Sequence, residues 1–154
     1  VNSQATLSAV SENAGRCDYL HLACHGLFRA DNPMFSALKL HDGWLTAADV
    51  MQLDLNGAFV ALSACESGRS QATSGDEIMG LTRAFLGAGA ASLLVSLWIT
   101  QDTAAAELMQ AFYLNLHGGM RRAEALRAAQ WRLARMARAN RAHAAGGRER
   151  GPCE

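Results

Sequence analysis

The chain has 154 residues, of which 50% are hydrophobic and 18% are charged, a composition that is typical of one globular α/β domain and excludes a disordered chain. Its 14 basic and 14 acidic residues cancel, so the chain as a whole does not favour a polyanionic partner such as nucleic acid. Four cysteines without a CxxC pair indicate a reducing, cytoplasmic setting, and no apolar run is long enough to predict a membrane span.

Apolar runs and helix signals alternate along the chain. Three short apolar runs without strict polar alternation predict strands buried on both faces of a parallel sheet. Capping threonines and terminal glycines bound the helices between them. The predicted helices cover residues 5–14, 46–53, 76–86, 102–116 and 121–144, and the predicted strands cover 19–24, 58–64 and 91–98.

Polar or reactive residues follow each predicted strand. The first strand runs into His25 and Gly26, the second into Cys65 and Glu66, and the third into residues 98–102. Ligands of parallel sheets bind beyond the carboxyl ends of the strands. We therefore expect these three clusters to meet at one edge of the sheet.

His25 and Cys65 are the residues there that can carry nucleophilic chemistry. A cysteine nucleophile needs a base that holds it as thiolate, and it needs N–H donors for the developing oxyanion. Histidine meets the first need. Gly26 lets the backbone approach a substrate carbonyl, and the N–H of Cys65 can be the second donor.

The same residues resemble a known family. The motif LxxxxHG at 20–26, LSACESG at 62–68, and the segments 30–55 and 74–116 are similar to the CHAT family of the caspase–separase clan of cysteine peptidases. The resemblance covers residues 6–130. It implies a three-layer α/β/α caspase-like fold with a mainly parallel sheet, incomplete at both ends in this chain.

The resemblance also implies roles for single residues. His25 becomes the general base, Cys65 the nucleophile, and Gly26 and Cys65 the oxyanion hole of a cysteine endopeptidase that works without cofactor or metal. Four residues are expected to bind substrate, namely Ser63, Glu66, Asp76 and Trp98. Other interpretations remain open, because Glu66 and Asp76 also suit a loop and a helix start, and Trp98 also suits the core.

The domain organisation follows from the same comparison. We expect a partial peptidase core over residues 1–145 and a disordered tail over 146–154. CHAT domains commonly accompany tetratricopeptide or other repeat domains in bacterial proteins, so a repeat domain in the same or a partner chain is an expected regulator, beside a protein or peptide substrate. No nucleic-acid or membrane partner is expected.

Two other function classes compete with the peptidase. A catalytically inactive caspase-like interaction or regulatory module is the alternative that the missing flanking strands favour. A nucleotide-binding domain is excluded, because neither a GxGxxG nor a Walker motif occurs.

Overall fold

The computed structural model describes residues 3–29, 31–66, 76–96 and 102–146, and at 64–66, 76–78, 102 and 142–146 it describes the backbone alone. Its helices and strands are α1 (Leu7–Asn13), β1 (Tyr19–Leu27), β2 (Ala37–Lys39), β3 (Trp44–Thr46), α2 (Ala47–Val50), β4 (Phe59–Glu66), α3 (Asp76–Gly87), β5 (Ser92–Val95), α4 (Asp102–His117) and α5 (Arg122–Gly146). Two short 3-10 helices cover Ala14–Arg16 and Pro33–Phe35. The chain forms two compact units, Val1–Ile99 and Thr100–Glu154.

The first unit contains a mixed sheet in the order β3-β2-β1-β4-β5. The three longer strands β1, β4 and β5 are parallel neighbours, and β2 and β3 add an antiparallel hairpin at the β1 side. The predicted mainly parallel α/β architecture is confirmed, and the three predicted strands are neighbours in the sheet. The three-layer arrangement and the boundary between core and tail stay predictions, since residues 147–154 lie outside the described ranges.

β1 and β4 pair residue for residue, without a bulge, over eight consecutive pairs from Tyr19–Phe59 to Gly26–Glu66. This register is fixed at the entry of both strands, where the N–H of Phe59 donates to the carbonyl of Asp18 at 2.8 Å. Because alternate residues of a strand share a face, the sheet has two distinct faces. We call the face of Tyr19, His21, Ala23, His25 and their register partners the histidine face, and the opposite one the core face.

The core face is covered by helices. Leu22 of β1 and Val60 and Leu62 of β4 belong to one buried cluster together with residues of α1, α2 and α3. Phe85 of α3 is fully buried in that cluster, and burying an aromatic side chain of this size contributes roughly 2–3 kcal/mol. The cluster thereby holds the strands in one arrangement.

Burial on both faces is confirmed for β4, where all residues from Phe59 to Leu62 are buried, and it is wrong for β1. Along β1 exposure alternates, and Tyr19 is 52% exposed. The physical reason is that the apolar run of β1 includes His21, Ala23 and His25 on one face, and these side chains tolerate water.

The helix signals identified in the sequence have the expected local roles. Thr46 caps α2 in a capping box with Asp49, whose N–H donates to the threonine Oγ1 at 3.1 Å. Gly89 and Gly119 adopt positive φ angles of 95° and 88° just after α3 and α4, a region that glycine enters without strain.

The β2–β3 hairpin was not predicted. Each of its strands has only three residues, which is below the length at which alternation can be recognised. The hairpin is closed by the N–H of Leu40, which donates to the carbonyl of Gly43 at 2.9 Å.

The second unit is a pair of packed helices. Asn115 of α4 donates from its side-chain amide to the carbonyl of Ala125 in α5 at 3.1 Å. The residue spacing of the predicted helix 121–144 places Ala123, Leu126, Gln130, Leu133 and Ala137 on one apolar stripe. This prediction is only partly correct. The buried residues are instead Ala125 and Ala129, with Leu126 and Leu133 half-buried beside them, because alanines are too uniform along this helix to locate the packed face.

We expect Gly80→Ala to lower the free energy of unfolding by about 1–3 kcal/mol. A Cβ at Gly80 would come within 2.7 Å of the Pro33 Cβ and within 2.9 Å of its carbonyl carbon, so the two segments would have to separate. Urea unfolding of both chains measures the effect.

The matched control is Gly87→Ala at the end of the same helix, where no atom lies within 4 Å of the added Cβ. This variant should be neutral or up to about 1 kcal/mol more stable. Equal stability of the two variants would contradict the close contact at Gly80.

Candidate active site

His25 and position 65 are direct register partners at the carboxyl ends of two neighbouring parallel strands. Strands in a sheet lie about 4.8 Å apart, so the two backbones come this close at the pair. Zero offset between the strands places both positions on the histidine face, and the His25 side chain is exposed there. The expectation that the two strand ends meet is thus met by the backbone.

Of the other expected site residues that the structure describes, only Ser63 lies on the same face of the sheet as the pair of positions 25 and 65. Ser63 pairs with Ala23 on the histidine face, two residues before position 65, and it is half-buried. Gly26 pairs with Glu66, so position 66 belongs to the core face. Asp76 is the first residue of α3, and Trp98 lies outside the described residues.

Gly26 is paired on both sides. In the described part of the chain it is the last residue of β1 in the ladder with β4, where it pairs with Glu66, and the first in the ladder with β2, where it pairs with Leu38. Gly26 is buried although its neighbour His25 is exposed. The backbone amide expected in the oxyanion hole therefore belongs to a residue fixed by strands on both sides.

His21 lies four residues before His25 on the same face. Partial burial lowers the pKa of the His21 imidazole below its usual value. The lowered pKa disfavours the imidazolium form, so His21 contributes less positive charge to the surface beside His25 than an ordinary histidine would.

The thiol of Cys24 is a less suitable nucleophile although it adjoins His25 in the sequence. It is half-buried on the core face, and burial raises its pKa to about 11. A thiol with this pKa is almost fully protonated near pH 7, and the thiolate is the reactive form. The sheet thus separates His25 from Cys24, the cysteine that lies nearest to it in sequence.

The loop after β1 contains an arrangement that sequence reasoning missed. Arg29 and Asp31 form an ion pair of 2.7 Å, and the hydrogen bond from the guanidinium holds the pKa of the Asp31 carboxyl below its usual range. The N–H of Arg29 donates at 3.0 Å to the hydroxyl of Ser36, a fully buried side chain. No sequence pattern predicts this hydrogen bond, because its two partners are seven residues apart in an irregular segment.

The described ranges contain neither a cluster of metal ligands nor a membrane-spanning helix. Within them, no three histidine, cysteine or carboxylate side chains are grouped as metal ligands would be. None of the described helices combines the length and apolarity needed to cross a bilayer.

The chain matches a known protein family and two known proteins in sequence. The family model described as CHAT domain matches residues 1–145. The chain is 43% identical over 82 residues to tetratricopeptide repeat protein 28 of Homo sapiens, and 39% identical over 82 residues to that of Mus musculus. The matched segment is 53% of this chain but only 3% of either relative, so the chain spans a small part of their length.

We expect His21→Gln to reduce the loss of stability on acidification between pH 7.5 and pH 5. The lowered pKa means that the unfolded chain binds a proton at His21 before the folded chain does, so stability falls as pH drops below the unfolded value of about 6.5. Urea unfolding of wild type and variant at both pH values gives the difference.

The comparison at pH 7.5 is the internal control, because the imidazole is neutral there in both states. Identical losses of unfolding free energy on acidification in wild type and His21→Gln would contradict the assigned environment.

Proposed function

Because the chain belongs to the CHAT domain family, we propose that it is a cysteine endopeptidase in which His25 and Cys65 form the catalytic dyad. The observation that carries this proposal is the direct pairing of the two positions on one face of the sheet, at the ends of adjacent parallel strands. A base and a nucleophile must lie within hydrogen-bonding reach, and the pairing of neighbouring strand ends is compatible with such a contact.

The proposed reaction proceeds through a thioester. His25 takes the proton of the Cys65 thiol, and the thiolate attacks the carbonyl carbon of the scissile peptide bond. The N–H groups of Gly26 and Cys65 stabilise the oxyanion. The C–N bond then breaks, and His25 returns the proton to the leaving amine. Water, deprotonated by His25, hydrolyses the thioester and releases the new carboxylate and the free thiol.

Burial and exposure support this division of roles. His25 is exposed and accessible to a polypeptide substrate, whereas Gly26 is buried and held by pairing with both neighbouring strands. A rigid amide beside an exposed base is the combination that acyl transfer requires, because the oxyanion donor has to be preorganised.

The substrate side chain is proposed to lie over Ala23 and Ser63. These two residues are register partners on the histidine face and precede the dyad by two positions in each strand. Both side chains are small, so the surface next to the dyad offers room for a substrate side chain. Glu66, Asp76 and Trp98 remain proposed contributors to substrate binding.

Regulation by a helical repeat domain is part of the proposal. The relatives at 43% and 39% identity are both named tetratricopeptide repeat proteins, which supports a repeat array as the neighbour of a domain of this kind. Because both relatives are mammalian proteins, the combination with a repeat domain is expected outside bacteria as well. A thiolate nucleophile also agrees with a reducing, cytoplasmic location.

We expect an acyloxymethyl-ketone peptide probe to label the chain at Cys65. Cys65→Ala should abolish labelling, and His25→Ala should slow it by at least about 100-fold, since general-base assistance contributes that much or more. Labelling rates from intact-protein mass spectrometry measure both effects, with a library of probes that differ in the side chain next to the reactive group.

Two control variants accompany this experiment. Cys24→Ala removes the neighbouring thiol of raised pKa, and His21→Ala removes the other histidine of the same face. Both should label within about twofold of wild type. If His25→Ala labels as fast as wild type, and wild type reacts no faster than a free thiol, the dyad is wrong and the inactive interaction module becomes the better hypothesis.

We expect Ser63→Leu to narrow the range of accepted probes. The larger side chain would occupy the surface beside Ala23, so probes with arginine or phenylalanine next to the reactive group should react about tenfold more slowly. A probe with alanine there should react at the wild-type rate and serves as control. An equal slowing of all probes would show that position 63 does not contact the substrate side chain.

A further inference from the structure

The charges of the chain are separated along the sequence. Residues 1–99 contain nine acidic and five basic residues, and residues 100–154 contain nine basic and five acidic ones. Much of the positive charge is concentrated in α5, where arginines occupy positions 127, 132, 135, 138 and 141 without any acidic residue between them. In the part of the chain that the structure describes, none of these five arginines takes part in an ion pair.

Four of these arginines share one side of the helix. An α-helix turns by about 100° per residue, so Arg127, Trp131, Arg135, Arg138 and Arg141 fall within an arc of roughly 120°. We call these five residues the arginine stripe. Along the helix axis it extends over about 21 Å. Arg132 lies outside the arc.

The opposite side of the same helix is the packed one. Ala125 and Ala129 are both fully buried there. Every member of the arginine stripe is exposed, and Trp131 is 62% exposed. The stripe is therefore a surface of α5 that the helix itself does not need for packing.

The chemistry of the arginine stripe is that of a protein contact. Arginine binds carboxylates through two parallel N–H···O bonds, and tryptophan and arginine are the residues most enriched at the energetic centres of protein interfaces. An exposed tryptophan between arginines can bury its ring against an apolar side chain while the flanking guanidinium groups pair with carboxylates. Within the described residues, none of the four arginines of the stripe has a carboxylate partner, and a ligand with carboxylates would supply one.

We propose that the arginine stripe is the docking surface for an acidic α-helical segment of a partner protein, which carries carboxylates at spacings of three and four residues and one apolar anchor for Trp131. Such spacing places the carboxylates of the partner on one face, matching the spacing of four, three and three residues between Trp131, Arg135, Arg138 and Arg141.

Other anionic partners fit these features less well. A nucleic acid is steered by a strong net positive charge, and this chain has none. A helix that binds a membrane surface needs a broad apolar face, and the stripe has Trp131 as its single large apolar residue.

The test measures binding of the full chain to a fluorescein-labelled 20-residue helical peptide that carries glutamates at the stated spacing and one leucine anchor. A 20-nucleotide oligo-dT and vesicles with phosphatidylserine are assayed in parallel. We expect the peptide to bind most tightly, Arg138→Glu to weaken its binding at least about fivefold, and Trp131→Ala to weaken it about tenfold.

Arg132→Glu is the matched control, because it changes the charge of the same helix equally from a position outside the stripe. It should alter peptide binding less than about twofold, and circular dichroism should show the same helix content in all variants. Tighter binding of oligo-dT or vesicles, equal effects of Arg138→Glu and Arg132→Glu, or no binding of the peptide would each overturn the proposal. The result is independent of peptidase activity, since Cys65→Ala should bind the peptide like wild type.

Discussion

The pairing of β1 with β4 without offset is the constraint on which the site depends. A strand has a side-chain period of two, so a slip by one residue would move His25 to the face opposite position 65. Two features prevent this slip. The hydrogen bond from Phe59 to Asp18 aligns the strands at their entry, and Leu22, Val60 and Leu62 bury apolar surface against the helices only in this register. Packing on one face of the sheet thus determines which residues meet on the other.

The elements that could be predicted from sequence are those with a strong local signal. Three apolar runs between helix signals indicated the parallel strands, and Thr46, Gly89 and Gly119 marked helix ends through conformational preferences of single residues. The hairpin of β2 and β3 escaped prediction because three-residue strands are stabilised by their neighbours and not by their own pattern. The exposure of one face of β1 was also not predicted, because composition alone does not determine which side of a strand is covered by other elements.

For the candidate site, the sequence predicted the edge of the sheet better than the face of the sheet. The end of a strand is a strong positional signal, so His25 and Cys65 could be assigned to one edge of the sheet before any coordinates. The face of the sheet on which a residue lies was harder to predict from the sequence. Position 66, for example, belongs to the face opposite to that of position 65. Contacts across irregular segments, such as Arg29 with Ser36, depend on tertiary structure and leave no periodic trace.

Ser36 connects the region after His25 to helix α2. Its hydroxyl accepts the N–H of Arg29, and its carbonyl accepts the N–H of Ala47 at 2.9 Å, so one fully buried residue joins the loop after β1 to the first residue of α2. The position of the loop is therefore coupled to that of α2 through Ser36. The turn at 40–43, by contrast, lies outside this linkage, and changes of its length leave the path intact. Natural variation in chain length should accordingly accumulate in that turn, while the spacing between Arg29 and Ser36 stays constant.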